Sequence, residues 1–107
     1  MISTLENNIY LLSIREGQSS SFNDFLEHLK NNEAWDAIVD LTSYGVENVL
    51  SVLDTLQKYQ HSVERLLVIT VNNKFLSIFP EDWTVVPSKK EAVDYILFEQ
   101  MQRDLGF

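Results

Sequence analysis

The chain has 107 residues, 45% of them hydrophobic, which fits one globular domain with its own core and leaves no room for a second. Its net charge of −8 argues against nucleic acid and against anionic membranes as partners, because both attract Lys and Arg. The chain contains no cysteine, which excludes a disulfide framework, a cysteine zinc site and a thiol nucleophile.

The amino terminus has no basic flank and no small-residue cleavage site, so we expect no signal peptide. Apolar runs reach at most four residues, whereas a membrane-spanning helix needs about 20. We therefore expect one cytoplasmic domain over residues 1–107, without a cofactor.

The first half of the chain predicts a strand, a helix and a second strand. Residues 9–14 form a compact apolar run of strand length. Ser21 followed by Asp24 predicts a helix start, because both side chains can satisfy free backbone N–H groups, and residues 31–32 predict its end. Residues 37–41 are short, apolar and β-branched, which indicates a buried strand.

A second helix and the strongest strand follow. The helix is predicted from apolar residues that recur at helical spacing: Val46, Val49, Leu50, Leu53, Leu56 and Tyr59. Residues 66–71 are almost continuously apolar, which is typical of a strand covered on both faces. Residues 72–83 fit either a strand or a helical turn.

The chain closes with a short strand, residues 84–86, and a helix. Ser88 and Glu91 match a capping box, and the helix should end near Gly106. The core side of this helix is predicted from its apolar residues: Ala92, Val93, Ile96, Leu97 and Met101. Alternating strands and helices predict an α/β fold with a mixed, mostly parallel sheet of four or five strands, the first strand lying antiparallel at an edge.

The residue types that catalysis and metal binding require do not combine in this sequence. The two histidines, His28 and His61, have no metal-ligand spacing and are expected at the surface. The three glycines are isolated, which argues against a glycine-rich phosphate loop. We therefore predict that the protein is not an enzyme and binds no metal.

Carboxylates leave one catalytic alternative open. Asp40 stands at the end of a predicted strand, where it could act as a phosphoacceptor, or accept hydrogen bonds near the next helix start, which we favour. Asp36, four residues earlier, would lie well down the same face of the strand. An active site would need Asp36, Asp40 and Glu81 to converge in space.

Several segments resemble the STAS family, which is named for sulfate transporters and anti-sigma factor antagonists. Residues 37–42, Ala-Ile-Val-Asp-Leu-Thr, are similar to the family strand that ends in Asp-Leu-Ser. The amphipathic helix at 46–59, the strand at 66–71 and the Val-Pro-Ser motif at 86–88 follow in the family's order. The resemblance implies a mixed sheet with helices mainly on one face, and a regulatory role in protein–protein interaction.

The resemblance also implies a candidate site. In the antagonists, a serine at the start of the second helix is phosphorylated within a Ser-Ser-Gly motif. This chain lacks that motif, and Ser43 is the phosphorylation candidate on the turn. The binding surface is expected where the loop meets the helix start: Thr42, Ser43, Tyr44, Gly45 and Glu47.

The carboxyl end, residues 99–107, is similar to the tail of short STAS-like proteins of the Bacteroidetes type, which are often labelled ribonuclease Z. The two-zinc site of that enzyme needs a histidine-rich motif that this chain lacks. We expect Leu105 in this tail to pack on the sheet, with a contact to a partner as the alternative.

Two functional hypotheses follow. The first is an interaction module whose partner is another protein, with a homodimer also open. The second is a small-molecule sensor or carrier, in which Phe75, Phe79 and Trp83 would line an apolar pocket.

Overall fold

The computed structural model describes residues 2–14, 21–42 and 49–106. Within these residues, five strands form one sheet, and their order in the sheet is their order in the chain. The strands are β1 (Ile2–Leu5), β2 (Ile9–Ser13), β3 (Asp36–Asp40), β4 (Leu67–Thr70) and β5 (Thr84–Val86). β1 pairs antiparallel with β2, and all other neighbours are parallel. The sheet is therefore mixed and mostly parallel, which confirms the predicted fold class.

The turn between β1 and β2 is built on two asparagines. Asn7 and Asn8 have φ of 66° and 61°, in the left-handed region that asparagine adopts more readily than most other residues. The expectation that the strand at residues 9–14 is the antiparallel edge was wrong, because β1 takes that edge. β1 lacks a strand pattern, since Ile2 and Leu5 are half-buried on opposite faces and the residues between them are exposed.

Helices cover both faces of the sheet in the described part of the chain. They are α1 (Ser21–Asn31), α2 (Leu50–Ser62), a 3₁₀ helix (Asn73–Ile78) and α3 (Lys89–Asp104). α1 and α2 lie on one face together with the 3₁₀ helix, whereas α3 packs on the other. Successive right-handed crossovers in one direction place the connecting helices on the same face. None of the described helices is long and apolar enough to span a bilayer.

Alternate residues of β3 divide between two cores, as the period of two in a strand requires. Ala37 and Val39 face α1 and α2, whereas Ile38 faces α3. The larger core fully buries Phe25 from α1 and Leu53 from α2, and each such side chain contributes about 1.5–3 kcal/mol. The smaller core depends on α3 alone among the described helices.

Two residues predicted on the core side of a helix lie at the surface instead. Leu50 is 42% exposed and Met101 is 58% exposed. The inner sides of these helices carry polar residues: Gln60 of α2 is buried, and Gln100 and Arg103 of α3 reach β3. Apolar periodicity missed these three side chains because they bind buried polar groups.

The remaining predictions concern the last third of the chain. Residues 72–83 contain the 3₁₀ helix, so the helical alternative was the correct one. Ser88 is the N-cap of α3, where its Oγ accepts a hydrogen bond from the backbone N of Glu91 at 3.2 Å. Gly106, with φ of 82°, follows the end of that helix as predicted.

Candidate functional site

Both ends of β3 carry an aspartate on the face that α3 covers. Asp36 begins the strand and Asp40 ends it, with Ile38 between them packed under α3. Because β2 to β5 are parallel, Asp40 lies at the carboxyl edge of the sheet and Asp36 at the amino edge. Four residues of strand separate the carboxylates by about 13 Å, so these two do not converge.

Asp40 accepts three hydrogen bonds at its Oδ1. Thr42 donates from its backbone N at 3.0 Å and from its Oγ1 at 2.8 Å, and Thr70 donates from its Oγ1 at 2.7 Å. Burial alone would raise the pKa of this carboxyl, but the hydrogen bonds and the charge of Lys89 outweigh burial and hold the pKa of Asp40 below its ordinary value. Asp40 is therefore an ionised hydrogen-bond acceptor, as the favoured sequence interpretation predicted.

The predicted binding surface begins at Thr42, which is half-buried. Its bonds to Asp40 and the 3.1 Å hydrogen bond from Asn72 Nδ2 to its carbonyl O fix the start of the connection that leads to α2. The other predicted residues lie outside the described part of the chain: Ser43, Tyr44, Gly45 and Glu47.

Asp36 is 1% exposed and has partners on three sides. Nη2 of Arg103 lies 2.8 Å and 2.9 Å from its two oxygens, the backbone N of Leu66 donates at 2.9 Å, and Nε2 of Gln100 donates at 3.0 Å. Gln100 also donates to the carbonyl O of Asn7. One buried carboxylate thus joins the end of α3 to β3, to the chain entering β4 and, through Gln100, to the β1–β2 turn.

An open cleft of about 370 Å³ borders this ion pair. Its lining, which we call the amino-edge cleft, includes Glu33, Trp35, Arg65, Arg103 and Asp104. Two of the three arginines in the chain therefore lie on one cleft of an acidic protein. Trp35 is among the lining residues, and its indole stacks on the ring of Tyr10, with ring centroids 4.8 Å apart.

The three aromatic residues predicted to line an apolar pocket pack against the larger core instead. Phe79 is 7% exposed and its ring centroid lies 6.2 Å from that of Trp83, while Phe75 is half-buried. Trp83 also borders a second cleft of about 370 Å³, where its neighbours are polar or charged, among them Lys58 and His61.

The outer side of α3 carries a row of large apolar side chains, which we call the α3 row. It consists of Tyr95, Phe98, Met101 and Leu105, which are 39%, 57%, 58% and 66% exposed. Their spacing of three, three and four residues keeps them on one side of the helix, opposite the buried Ala92 and Ile96. The expectation that Leu105 packs on the sheet was therefore wrong, and Phe107 lies outside the described residues.

The histidines differ from each other in setting. His61 is exposed, as predicted, whereas His28 is half-buried with its ring edge-on to Tyr10 at 4.9 Å. Over residues 2–14, 21–42 and 49–106, no group of three His, Cys, Asp or Glu side chains is arranged to hold a metal ion.

No family model matches the chain, and no curated protein matches it either. The resemblance to the STAS family stays a prediction that rests on the sequence motifs. Sequence reasoning named Asp36 only as a catalytic alternative and did not find Arg65 or Arg103. The one available signal was a charged residue at the start of an apolar strand, where an aspartate needs a partner.

Proposed function

We propose that this protein is a non-enzymatic, STAS-like regulatory module that acts by binding another protein. The α3 row carries the proposal, because contiguous exposed apolar surface on a folded domain marks an interaction site. Aromatic residues and Met are also enriched at protein interfaces. The row lies on a helix whose inner side is already occupied by the sheet, so its outer side is available to a partner.

The charges around the α3 row define the chemistry of the partner. Glu91, Asp94, Glu99 and Asp104 are acidic positions on the same helix, in a chain of net charge −8. The helix also carries Lys89, Lys90 and Arg103, of which Lys90 is engaged with Asp94 at 3.0 Å and Arg103 with Asp36 at 2.8 Å. A partner with an apolar ridge flanked by Lys and Arg would bury the row and complement the acidic surroundings.

The STAS-like part of the proposal is supported by the fold class and by two motif positions. The Asp-Leu-Thr motif at 40–42 lies at the carboxyl end of β3, and the Val-Pro-Ser motif at 86–88 leads into α3. Asp40 fixes Thr42 at the start of the connection that the resemblance implies as a docking surface. The second proposed contact accordingly consists of Thr42, Ser43, Tyr44, Gly45 and Glu47, with Ser43 as the phosphorylation candidate even though the Ser-Ser-Gly motif is absent.

The test is affinity purification of the tagged chain from its own cells, followed by mass spectrometry. Phe98→Ser in the α3 row should weaken recovery of a specific partner at least about tenfold, because an apolar anchor at an interface dominates the binding energy. Raising the salt concentration should weaken recovery as well, because acidic and basic surfaces are then screened.

Ile78→Ser is the matched control. Ile78 is 46% exposed on the 3₁₀ helix, away from α3, so partner recovery should equal that of the wild type. Tyr44→Ala tests the second contact in the same format, and the phosphopeptides report on Ser43. Equal recovery of every protein by the wild type and Phe98→Ser would refute α3 as the docking surface.

A further inference from the structure

The amino-edge cleft holds a guanidinium without a counter-ion. Arg65 is half-buried, and its Nε and Nη1 donate to the backbone carbonyls of Ala34 and Glu64, each at 2.9 Å. Among the described residues, no carboxylate forms an ion pair with it. These bonds hold the guanidinium plane in a fixed position while its Nη2 stays available, which suits an anionic group of a ligand.

The second guanidinium of the cleft, that of Arg103, also has hydrogen-bond donors without an acceptor among the described residues. Arg103 holds Asp36 through Nη2 alone, although a guanidinium can engage a carboxylate through two of its nitrogens. Within the part of the chain that the structure describes, its Nε and Nη1 make no hydrogen bond. Because Asp36 anchors this side chain, a ligand that contacts it meets a group already in position.

Acidic residues on the same cleft limit the ligand to one that also carries a positive charge. Glu33 and Asp104 line the cleft, and neither forms an ion pair with a described residue. A multiply charged anion would be repelled by these carboxylates, whereas an ammonium group would be attracted to them. Trp35 lines the same cleft, so an aromatic residue lies beside these charges.

We propose that the amino-edge cleft binds a free amino acid, whose carboxylate is held by Arg65 and Arg103 and whose ammonium group is held by Glu33 and Asp104. The volume of about 370 Å³ lies at the small end of ligand pockets, which fits a molecule of this size. The polar lining fits a zwitterion and disfavours an apolar ligand. This site lies on the amino edge of the sheet, and it shares Asp104 with the acidic surroundings of the α3 row.

The two tryptophans of the chain make the test specific. Trp35 lines the amino-edge cleft and Trp83 lines the second cleft of equal volume, so each indole N–H signal in a nuclear magnetic resonance titration reports on one cleft. The probes are glycine, L-glutamine and L-glutamate, added to the full chain up to about 10 mM. A saturable shift of the Trp35 signal with an unmoved Trp83 signal is expected for at least one of them.

Acetate and methylammonium supply the two charges of the ligand separately. Each should bind at least about tenfold more weakly than the amino acid, because it meets only half of the charged groups. If acetate bound as tightly as the amino acid, the proposal that the ligand is a zwitterion would be refuted. An unmoved Trp35 signal with every amino acid, or equal movement of the Trp83 signal, would overturn the site.

Arg65→Gln removes the unpaired guanidinium and leaves the Asp36–Arg103 pair intact. This substitution should weaken binding of the amino acid at least about tenfold, as expected when a charged hydrogen-bond donor is lost. Lys58→Gln, an exposed cation on the second cleft, is the matched control and should leave the affinity unchanged. An unchanged affinity in Arg65→Gln, with the fold verified by its amide spectrum, would overturn the assignment.

Discussion

The two ends of β3 place the same residue type in contrasting surroundings. Asp36 is buried and paired with Arg103, which arrives from the last turn of α3, 67 residues along the chain. Asp40 is half-buried and accepts its hydrogen bonds from threonines, one of which is only two residues away. The comparison shows that one aspartate of a strand can join a helix to the sheet, while another holds the start of a loop and also contacts the neighbouring strand.

The largest loss of stability should come from substitutions at the Asp36 end of β3. Asp36→Ala removes the acceptor of Leu66 N, Gln100 and Arg103 together, and leaves a partly buried guanidinium without its partner. Breaking a buried ion pair from one side costs about 3 kcal/mol or more. Urea unfolding at neutral pH should show that loss in the free energy of unfolding.

Arg103→Ala approaches the same pair from the other side. Asp36 would then remain buried with only the donors from Leu66 and Gln100, so this variant should also be strongly destabilised. A loss below about 1 kcal/mol in both variants would mean that the pair does not join α3 to the sheet.

A second polar group at the amino edge should have the next largest effect. Gln60 is 1% exposed, and its Nε2 donates to the carbonyls of Trp35 and Leu66, each at 2.9 Å. Gln60→Leu keeps the volume but leaves both carbonyls without this donor, which should cost about 2 kcal/mol. Thermal unfolding measures this loss of stability. The control is Gln57→Leu, at a half-buried position three residues earlier in α2, which should lose less stability.

The contrast between the two ends also explains what sequence reasoning found and what it missed. Asp40 was correctly interpreted because its partner Thr42 lies only two residues further along the sequence and the strand end is marked by composition. The partners of Asp36 were missed because Arg103 and Gln100 interrupt an apolar pattern, and a pattern of apolar residues does not record which polar side chains face inward.

The elements themselves were predictable where burial imposes a period. β2, β3, β4 and β5 lie within one residue of the predicted bounds, as do both ends of α1. β2, β3 and β4 are buried over nearly their whole length, whereas β5 is half-buried. β1 was missed because it lies at an edge and its burial does not alternate. The α3 row was not recognised as a surface feature, because Met101 was assigned to the core side from spacing alone and is 58% exposed.

The pH dependence of stability tests the role of Asp40. The pKa of Asp40 is lower in the folded protein than in the unfolded chain, so its hydrogen bonds stabilise the fold above an unfolded pKa of about 4. This contribution is lost as the pH falls through the lowered folded pKa, where the carboxyl protonates in both states. Asp40→Asn should therefore cost about 1.5 kcal/mol at pH 7.

The difference in unfolding free energy between the wild type and Asp40→Asn should stay constant above about pH 5 and shrink below about pH 4. Urea unfolding at a series of pH values provides the comparison. A difference that persists unchanged down to about pH 2 would show that the ionised form of Asp40 is not what the threonines stabilise.

The smallest effect concerns the other end of α3, close to Asp40. Ser88 is the N-cap of α3, and Ser88→Ala should cost about 1 kcal/mol, because the backbone N of Glu91 loses its acceptor. Ser51→Ala, an exposed serine inside the first turn of α2, is the control and should be neutral or slightly stabilising, since alanine favours helix. If Ser88→Ala instead lost as much stability as Asp36→Ala, the start of α3 would contribute as much to stability as its end. Attachment of α3 to the sheet would then not depend on the amino edge alone. Asp36→Ala should lose about three times as much unfolding free energy as Ser88→Ala. Ser88 satisfies one backbone N–H, whereas Asp36 joins a helix, a strand and the chain that enters the neighbouring strand.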